Sequence, residues 1–265
     1  MYYSIYPLFN GSFTVRLGEN YPVIVKNVPS FTFLIIGDDQ EPILVDTGFS
    51  NKFVPGVKST CTKEPVHELS YALACLGYIP DDVTTVIQTH LHWDHTGGMQ
   101  LFERARYLVQ AEEFRSLINL GVNEECSFCT AHWINLLSRI QLIEGDIRIK
   151  PGLSLLWTGG HTRGHQAVSV RTKSGTVILG GDIPFNYDSL WSSIPDQVWQ
   201  KYRTGYGKKF YWDNSIRSRI ENWLGKKGFN YTPTLTPRSL NTLQSMSSQI
   251  YTSHDQRLLN LPCIS

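Results

Sequence analysis

The segment Thr89-His90-Leu91-His92-Trp93-Asp94-His95 packs four metal-ligand side chains, His90, His92, Asp94 and His95, into six residues of a chain with only eight histidines in 265 residues. Imidazole and carboxylate together form the donor set of zinc, iron or manganese. The run constrains the fold as much as the chemistry. Val83-Thr84-Thr85-Val86-Ile87, just before it, is β-branched and reads as a buried strand. The donors therefore fall in the loop at a strand's C-terminal end, where rigid scaffolds carry function. Gly97 and Gly98 let the backbone turn closely behind them.

Three more donors lie downstream in glycine- or serine-flanked contexts. They are His165 in Thr162-Arg163-Gly164-His165, Asp182 in Gly180-Gly181-Asp182, and His254 in Ser253-His254-Asp255. Five histidines and two aspartates suffice for two ions, and two adjacent ions make a hydrolytic site. A His-x-His pair can place two imidazoles on one ion, while the Asp-His pair that follows points toward a second. Asp182 is the natural bridge, with His165 completing the first shell and His254 the second. Hydroxide held between two such ions is a strong nucleophile at neutral pH. His161, four residues before His165, is assigned a supporting role behind the ligands. So is Asp46, at the end of Val45-Asp46-Thr47-Gly48, as the group that orients a ligand histidine. His67 and His132 fall in helical stretches and are read as structural.

The surrounding pattern alternates strands and helices. Phe31–Ile36 and Pro42–Asp46 read as strands around a polar turn. Leu69, Ala72, Leu73 and Leu76 have the spacing of a half-buried helix, stopped by Gly77 and Pro80. Leu108-Val109 begins a strand, and Ala111 to Leu120 has helical composition. Leu153 to Trp157 is a strand that leads to His161. Ala167–Val170 and Thr176–Leu179 flank Lys173-Ser174-Gly175 as a hairpin that delivers Asp182. Leu235 to Ile250 reads as a helix plus a strand returning the chain to His254.

Between Ile183 and Tyr231 the composition changes. This stretch holds four of the seven tryptophans, Trp191, Trp199, Trp212 and Trp223. From Asp196 to Gly228 there are eight Lys/Arg against three acids, a local excess of +5. Both its ends are anchored at donors, so a helical lid over the substrate pocket is expected, with Phe185, Tyr187 and Trp191 nearest the metals. The charge favours an anionic or polar aromatic substrate over a long acyl chain. The alternative use of the segment is a helical homodimer contact. The chain is otherwise read as one domain over residues 1–265.

A formal net charge of +1 provides no global field for nucleic acid. Apolar runs such as Phe31 to Ile36 are too short for a membrane span. The first residues do not read as a signal peptide. Five cysteines without framework spacing favour a reducing cytoplasm, and Cys126-x-x-Cys129 reads as two ordinary cysteines.

These residues resemble the metallo-β-lactamase superfamily. The features are Ile43-Leu44-Val45-Asp46-Thr47-Gly48, His90-x-His92-x-Asp94-His95-x-Gly97-Gly98, Gly160-His161-x-x-Gly164-His165, Asp182 and the closing Ser253-His254-Asp255. Within it the chain is most similar to the N-acyl-homoserine lactonase and pyridoxolactonase-like group. The pointers are Gly77-Tyr78-Ile79-Pro80-Asp81-Asp82, Ile143-Glu144-Gly145-Asp146 with Pro151-Gly152, and Gly164-His165-Gln166. The resemblance implies an αββα four-layer sandwich with metals at one edge, here with a helical, aromatic-rich insertion. It implies a quorum-quenching type of lactonase, a hydrolase with two divalent ions, zinc by default and manganese or iron as alternatives. The bridging hydroxide would open a lactone or similar cyclic ester, with Asp94 catalytic as well as metal-binding. Related enzymes with the same fold include thioesterases and a mononuclear iron persulfide dioxygenase, which are the alternative reading. Two features depart from the group's pattern. Its tyrosine three residues after the bridging aspartate is Phe185 here, leaving Tyr187 as the candidate replacement. The interval from Asp182 to His254, 72 residues, is also longer than in small lactonases.

Overall fold

The computed structural model describes residues 1–16, 23–52, 59–120, 124–183, 214–229, 240–247 and 249–265. The first sheet is built from long strands. β1 (Tyr3–Arg16) and β2 (Val23–Gly37) pair antiparallel, and β3 (Pro42–Val45) returns against β2. β4 (Thr60–Thr62) joins the far side of β1. β5 (Thr85–Ile87), β6 (Arg106–Gln110) and β7 (Ile140–Ile143) then continue from β3 in parallel, giving the order β4-β1-β2-β3-β5-β6-β7. Parallel neighbours need crossovers. α1 (Leu69–Cys75) lies in the first, and α3 (Ala111–Ile118) lies in the crossover from β6 to β7. The one-turn α2 (Trp93–Thr96) lies in the loop after β5. His67, expected in the α1 helix, sits instead in a separate 3-10 turn (Pro65–His67) that Pro65 starts.

The second sheet is an antiparallel meander of β8 (Ile147–Lys150), β9 (Leu153–Trp157), β10 (Gln166–Thr172) and β11 (Gly175–Leu179). β12 (Gln249–Tyr251) adds to β11 in parallel.

Alternation along the strands sorts the core into layers. Phe31, Phe33 and Ile35 of β2 point one way, and with Ile5, Ile43, Ile87 and Leu108 they meet Leu155, Val168, Val170 and Val177 of the second sheet. Leu34, Leu44, Val86, Tyr107 and Val109 point the other way, into Leu69 and Leu73 of α1 and Phe114 and Leu117 of α3. That outer layer also takes Ile220 and Leu224 of α4 (Asn214–Lys226) and the fully buried Trp133. On the far face of the second sheet, Leu156, Ala167 and Ile178 pack with Leu243 of α5 (Leu240–Met246). The result is helix, sheet, sheet, helix, as the family resemblance implied. Each buried Leu, Ile or Phe removes enough apolar area from water to stabilise by about 1.5–3 kcal/mol.

α4 is the described part of the aromatic-rich insertion. Its Trp223 meets Phe114 of α3 at 5.0 Å between ring centroids, and Arg217 donates to the Ile118 carbonyl at 2.7 Å. Its apolar face is thus spent on the core. Phe185, Tyr187 and Trp191 lie outside the described residues.

Among the described residues no helix is long and apolar enough to cross a membrane. Cys61, Cys75, Cys129 and Cys263 are free thiols, and Cys129 packs with Phe13, Phe49 and Trp93.

Candidate metal centre

Six strands end at one edge of the sandwich, and each releases a polar side chain there. β3 leads to Asp46, β5 to Thr89–His95, β6 to Glu113, β9 to His161, β11 to Asp182 and β12 to His254. Gln166 ties the edges of the two sheets by donating from Nε2 to the carbonyls of Gln88 (2.8 Å) and Leu108 (3.1 Å).

The donors fall into two groups. One is His90, His92 and His161; the other is Asp94, His95, Asp182 and His254. In the first, His92 Nδ1 lies 3.0 Å from His90 Nε2 and 3.1 Å from His161 Nε2. In the second, His254 Nε2 lies 3.3 Å from Asp94 Oδ2 and 3.3 Å from Asp182 Oδ1, and His95 Nε2 lies 3.2 Å from Asp182 Oδ1. Asp182 also faces the first group, through its other oxygen. Oδ2 is 3.4 Å from His161 Nε2 and 4.0 Å from His90 Nε2.

The donor set fits metal ions. Four ligands placed tetrahedrally at the zinc–nitrogen bond length stand about 3.3 Å apart, close to the spacings here. His95 Nε2 and Asp182 Oδ1 are fully buried and make no hydrogen bond. Orphaned buried polar atoms are costly, by about 1–3 kcal/mol each, unless a cation satisfies them.

The hydrogen bonds behind the rings aim the lone pairs inward. Thr89 Oγ1 donates to Asp46 Oδ2 at 2.8 Å, so it accepts from His90 Nδ1 at 3.0 Å and leaves Nε2 bare toward the site. His254 Nδ1 donates to the Pro29 carbonyl at 2.7 Å, and His95 Nδ1 meets Asp46 Oδ2 at 2.8 Å. Asp46 thus orients a ligand-type histidine, and its Oδ1 accepts from the Thr89 amide at 2.7 Å. Such partners fix the tautomer and ring orientation of a metal-binding imidazole.

His165 is the correction. It belongs to neither group, and His161 stands in the place the spacing gave it. Both its ring nitrogens are engaged. Thr158 Oγ1 donates to the His165 carbonyl at 2.9 Å and accepts from His165 Nδ1 at 2.6 Å. That leaves Nε2 as an acceptor, and the Asp182 amide donates to it at 3.2 Å. His165 is a pillar under the Gly181-Asp182 turn, where Gly181 has φ +54° and a Cβ would come within 2.5 Å of His165 Nε2. The physical reason lies in the strand boundary. β10 starts at Gln166, so His165 is already held in the sheet's entrance, while His161 remains in the loop beyond β9.

Nothing in the sequence marks Glu113, because with Glu112 beside it in the first turn of α3 it reads as an ordinary acidic helix start. It is fully buried and receives three hydrogen bonds, and burial pushes its carboxyl up to about 7.

Electrostatics separates the two groups. Burial and neighbouring imidazoles hold His90 and His92 well below the usual histidine range, so they are neutral donors. Burial also opposes charge on His254 and His95, but the carboxylates outweigh it. Asp182 and Asp94 push His254 up to about 10, and Asp182, Asp94 and Asp46 raise His95 well above its ordinary value. Asp182 is held well below the carboxylate range against its burial, by the charges of His254 and His95.

A shallow cleft opens beside the first group, between the end of α3, the turn at Glu124–Phe128 and the loop at 161–163. Ser116, Asn119, Glu124, Phe128 and Arg163 line it with His92 and His161.

The profile of the metallo-beta-lactamase superfamily matches residues 25–210. The N-acyl homoserine lactonase AiiA of Bacillus thuringiensis subsp. kurstaki is 32% identical over 187 residues, which are 66% of this chain and 71% of that protein. Among solved structures, a quorum-quenching N-acyl homoserine lactone hydrolase superposes with a TM-score of 0.62 at 22% identity, covering 98% of this chain and 96% of its own. AidC, a dizinc quorum-quenching lactonase, superposes with a TM-score of 0.55 at 15% identity, covering 95% and 87%. At these identities the structural likeness speaks for the fold.

Proposed function

This chain belongs to the metallo-β-lactamase superfamily and is a metal-dependent hydrolase acting on ester bonds; from that premise we propose that it opens a lactone or similar cyclic ester at a two-ion centre. His90, His92 and His161 would hold one divalent cation, Asp94, His95 and His254 the other, and Asp182 both. Zinc is the default, because imidazole and carboxylate donors, three and one at the first ion and two and two at the second, suit it. The observation that carries the reading is the division of Asp182, with Oδ2 turned to the first group and Oδ1 to the second. The kinship to AiiA over two thirds of the chain supports the lactone.

Bound cations would supply Lewis acidity to the ester carbonyl and make a water acidic enough to ionise near neutral pH. The chain's residues do the rest. Asp46 and the Pro29 carbonyl hold His95 and His254 in one tautomer, so neither ring turns away during turnover. Asp94, whose Oδ2 reaches His254 Nε2, is the proposed proton carrier. Water adds to the acyl carbon, the ring C–O bond breaks, and the ring oxygen leaves as a hydroxyl. The ring substituent would lie in the cleft beside His92 and His161, whose polar Ser116, Asn119, Glu124 and Arg163 favour a short or polar group over a long acyl chain. Of residues 183–231, α4 packs on the core, and the remainder is the proposed cover, within a single domain over 1–265, with Phe185 and Trp191 as substrate contacts and Tyr187 as the donor replacing the lactonase tyrosine.

The test is a substrate panel on full-length enzyme with known metal content. It should include lactones with short, polar and long substituents, thioesters and a persulfide. The expected result is two ions per chain and highest kcat/KM on lactones. Asp182→Ala should lose at least one ion and more than about 100-fold in kcat/KM, beyond the range for removing an outer partner of a ligand. A two-ion enzyme that cleaves thioesters and leaves every lactone intact would overturn the lactone assignment. A single iron with activity on the persulfide would overturn the hydrolytic one.

A further inference from the structure

Glu113 stands in the first turn of α3 with no exposed surface. A carboxylate there is expensive to bury, by several kcal/mol, unless its acceptor capacity is used. It is used on two different loops. Oε1 accepts from the Leu91 amide at 2.9 Å. Oε2 accepts from Thr162 Oγ1 at 2.6 Å and from the Gly164 amide at 3.1 Å. Leu91 lies between His90 and His92, and Thr162 follows His161. The two loops supply all three imidazoles of the first group, and they are 69 residues apart in sequence between His92 and His161.

The contact is built for closeness. A Cβ at Gly164 would stand 2.1 Å from the Glu113 amide nitrogen and 2.3 Å from its Cα, so only glycine lets the second loop reach the helix. The chemistry is equally selective. Every donor that meets the side chain is an N–H or O–H, so both oxygens must be acceptors. Glutamine would satisfy one loop and present an N–H to the other. Aspartate, a methylene shorter, would not span both.

We propose that Glu113 is a positioning residue, a clamp whose carboxylate sets the separation of the two loops and thereby the three-imidazole group that holds the first ion. The clamp rests on the two-ion reading above. It predicts a selective effect: loosening it should weaken the ion at His90, His92 and His161 and leave the ion at Asp94, His95 and His254 in place.

The experiment is a Co²⁺ titration of the metal-stripped full-length chain, followed by the visible absorption of each equivalent. His161→Ala identifies the band that belongs to the first group. In Glu113→Gln that band should need roughly 10–100-fold more free Co²⁺, the range for removing a group that holds a ligand in place, while the other keeps its wild-type affinity. Thr162→Val retains the carboxylate and removes one donor. It should shift the same band by less, and it serves if Glu113→Gln does not fold. Both bands at wild-type affinity and shape in the two variants would overturn the clamp, even if the metal-free chain had become less stable. A wild-type chain that takes up one equivalent would overturn the two-ion reading instead. The clamp would then stand or fall on whether that one ion weakens in Glu113→Gln.

Discussion

His161 and His165 show how little separates a ligand from a support at the level of single residues. Both follow a glycine, four positions apart, and both are buried. Their roles differ because of what meets each ring. His165 spends Nδ1 on Thr158 and Nε2 on the Asp182 amide. His161 turns Nε2 to His92 and Asp182. The two substitutions should therefore diverge. His161→Ala should cost an ion and activity while the metal-free chain keeps its melting temperature within a few degrees. His165→Ala should destabilise the metal-free chain by about 2–4 kcal/mol, because it leaves a cavity and an orphaned Asp182 amide. Denaturant unfolding with metal analysis separates them, and equal metal loss with equal stability in both variants would contradict the assignment. The ligand motif after β5 was readable because four donors in six residues have few other uses. The GHxxGH segment was not, since spacing alone does not say which ring a strand will capture.

At the scale of elements, the site is made by strand ends, and most of those strands were legible. β-branched and alternating runs announced β2, β3, β5, β9, β10 and β11, and the periodic Leu69–Leu73 pair announced α1. β1 gave less signal, with polar Ser12 and Thr14 and the glycine Gly11 in its course. β7 and β8, four residues each on either side of Glu144-Gly145-Asp146, carried no strand reading, because Gln141, Arg148 and Lys150 dilute their apolar runs. The contact between α3 and the 161–164 loop is a pairing of elements that no local pattern encodes. Gly164→Ala tests it. Overpacking a tight contact costs about 1–3 kcal/mol, sometimes more, and the new methyl meets backbone atoms that cannot rotate away. The variant should lose at least that stability in denaturant melts, and should weaken the first-group ion as Glu113→Gln does. A Gly164→Ala chain with wild-type stability would mean that the helix and loop are free to separate.

For the whole molecule, the two sheets meet through a single apolar layer, and the donors come from both of them. Metal binding should therefore hold the sandwich together. An ion present at about 100 times its dissociation constant adds about 2.7 kcal/mol, and each kcal/mol moves the midpoint of a chain this size by roughly 2–4 °C. Chelation should lower the thermal midpoint by roughly 5–10 °C per ion lost, and added Zn²⁺ should restore it. A midpoint indifferent to chelator and to Zn²⁺ would count against ions at this edge. The residue types by themselves determined the chemical class, because His-x-His-x-Asp-His after a buried strand, a distant aspartate and a terminal histidine amount to a donor inventory that local sequence can state. The layer order was implied by the family resemblance, since β2 carries apolar residues on both faces, Phe33 on one and Leu34 on the other. Only the tertiary structure decided which donors converge, that Asp182 divides its oxygens between two groups, and that the buried Glu113 spans two loops. The reason is that convergence depends on the directions of side chains from strands distant in sequence, and direction is set by packing between layers rather than by any neighbour along the chain.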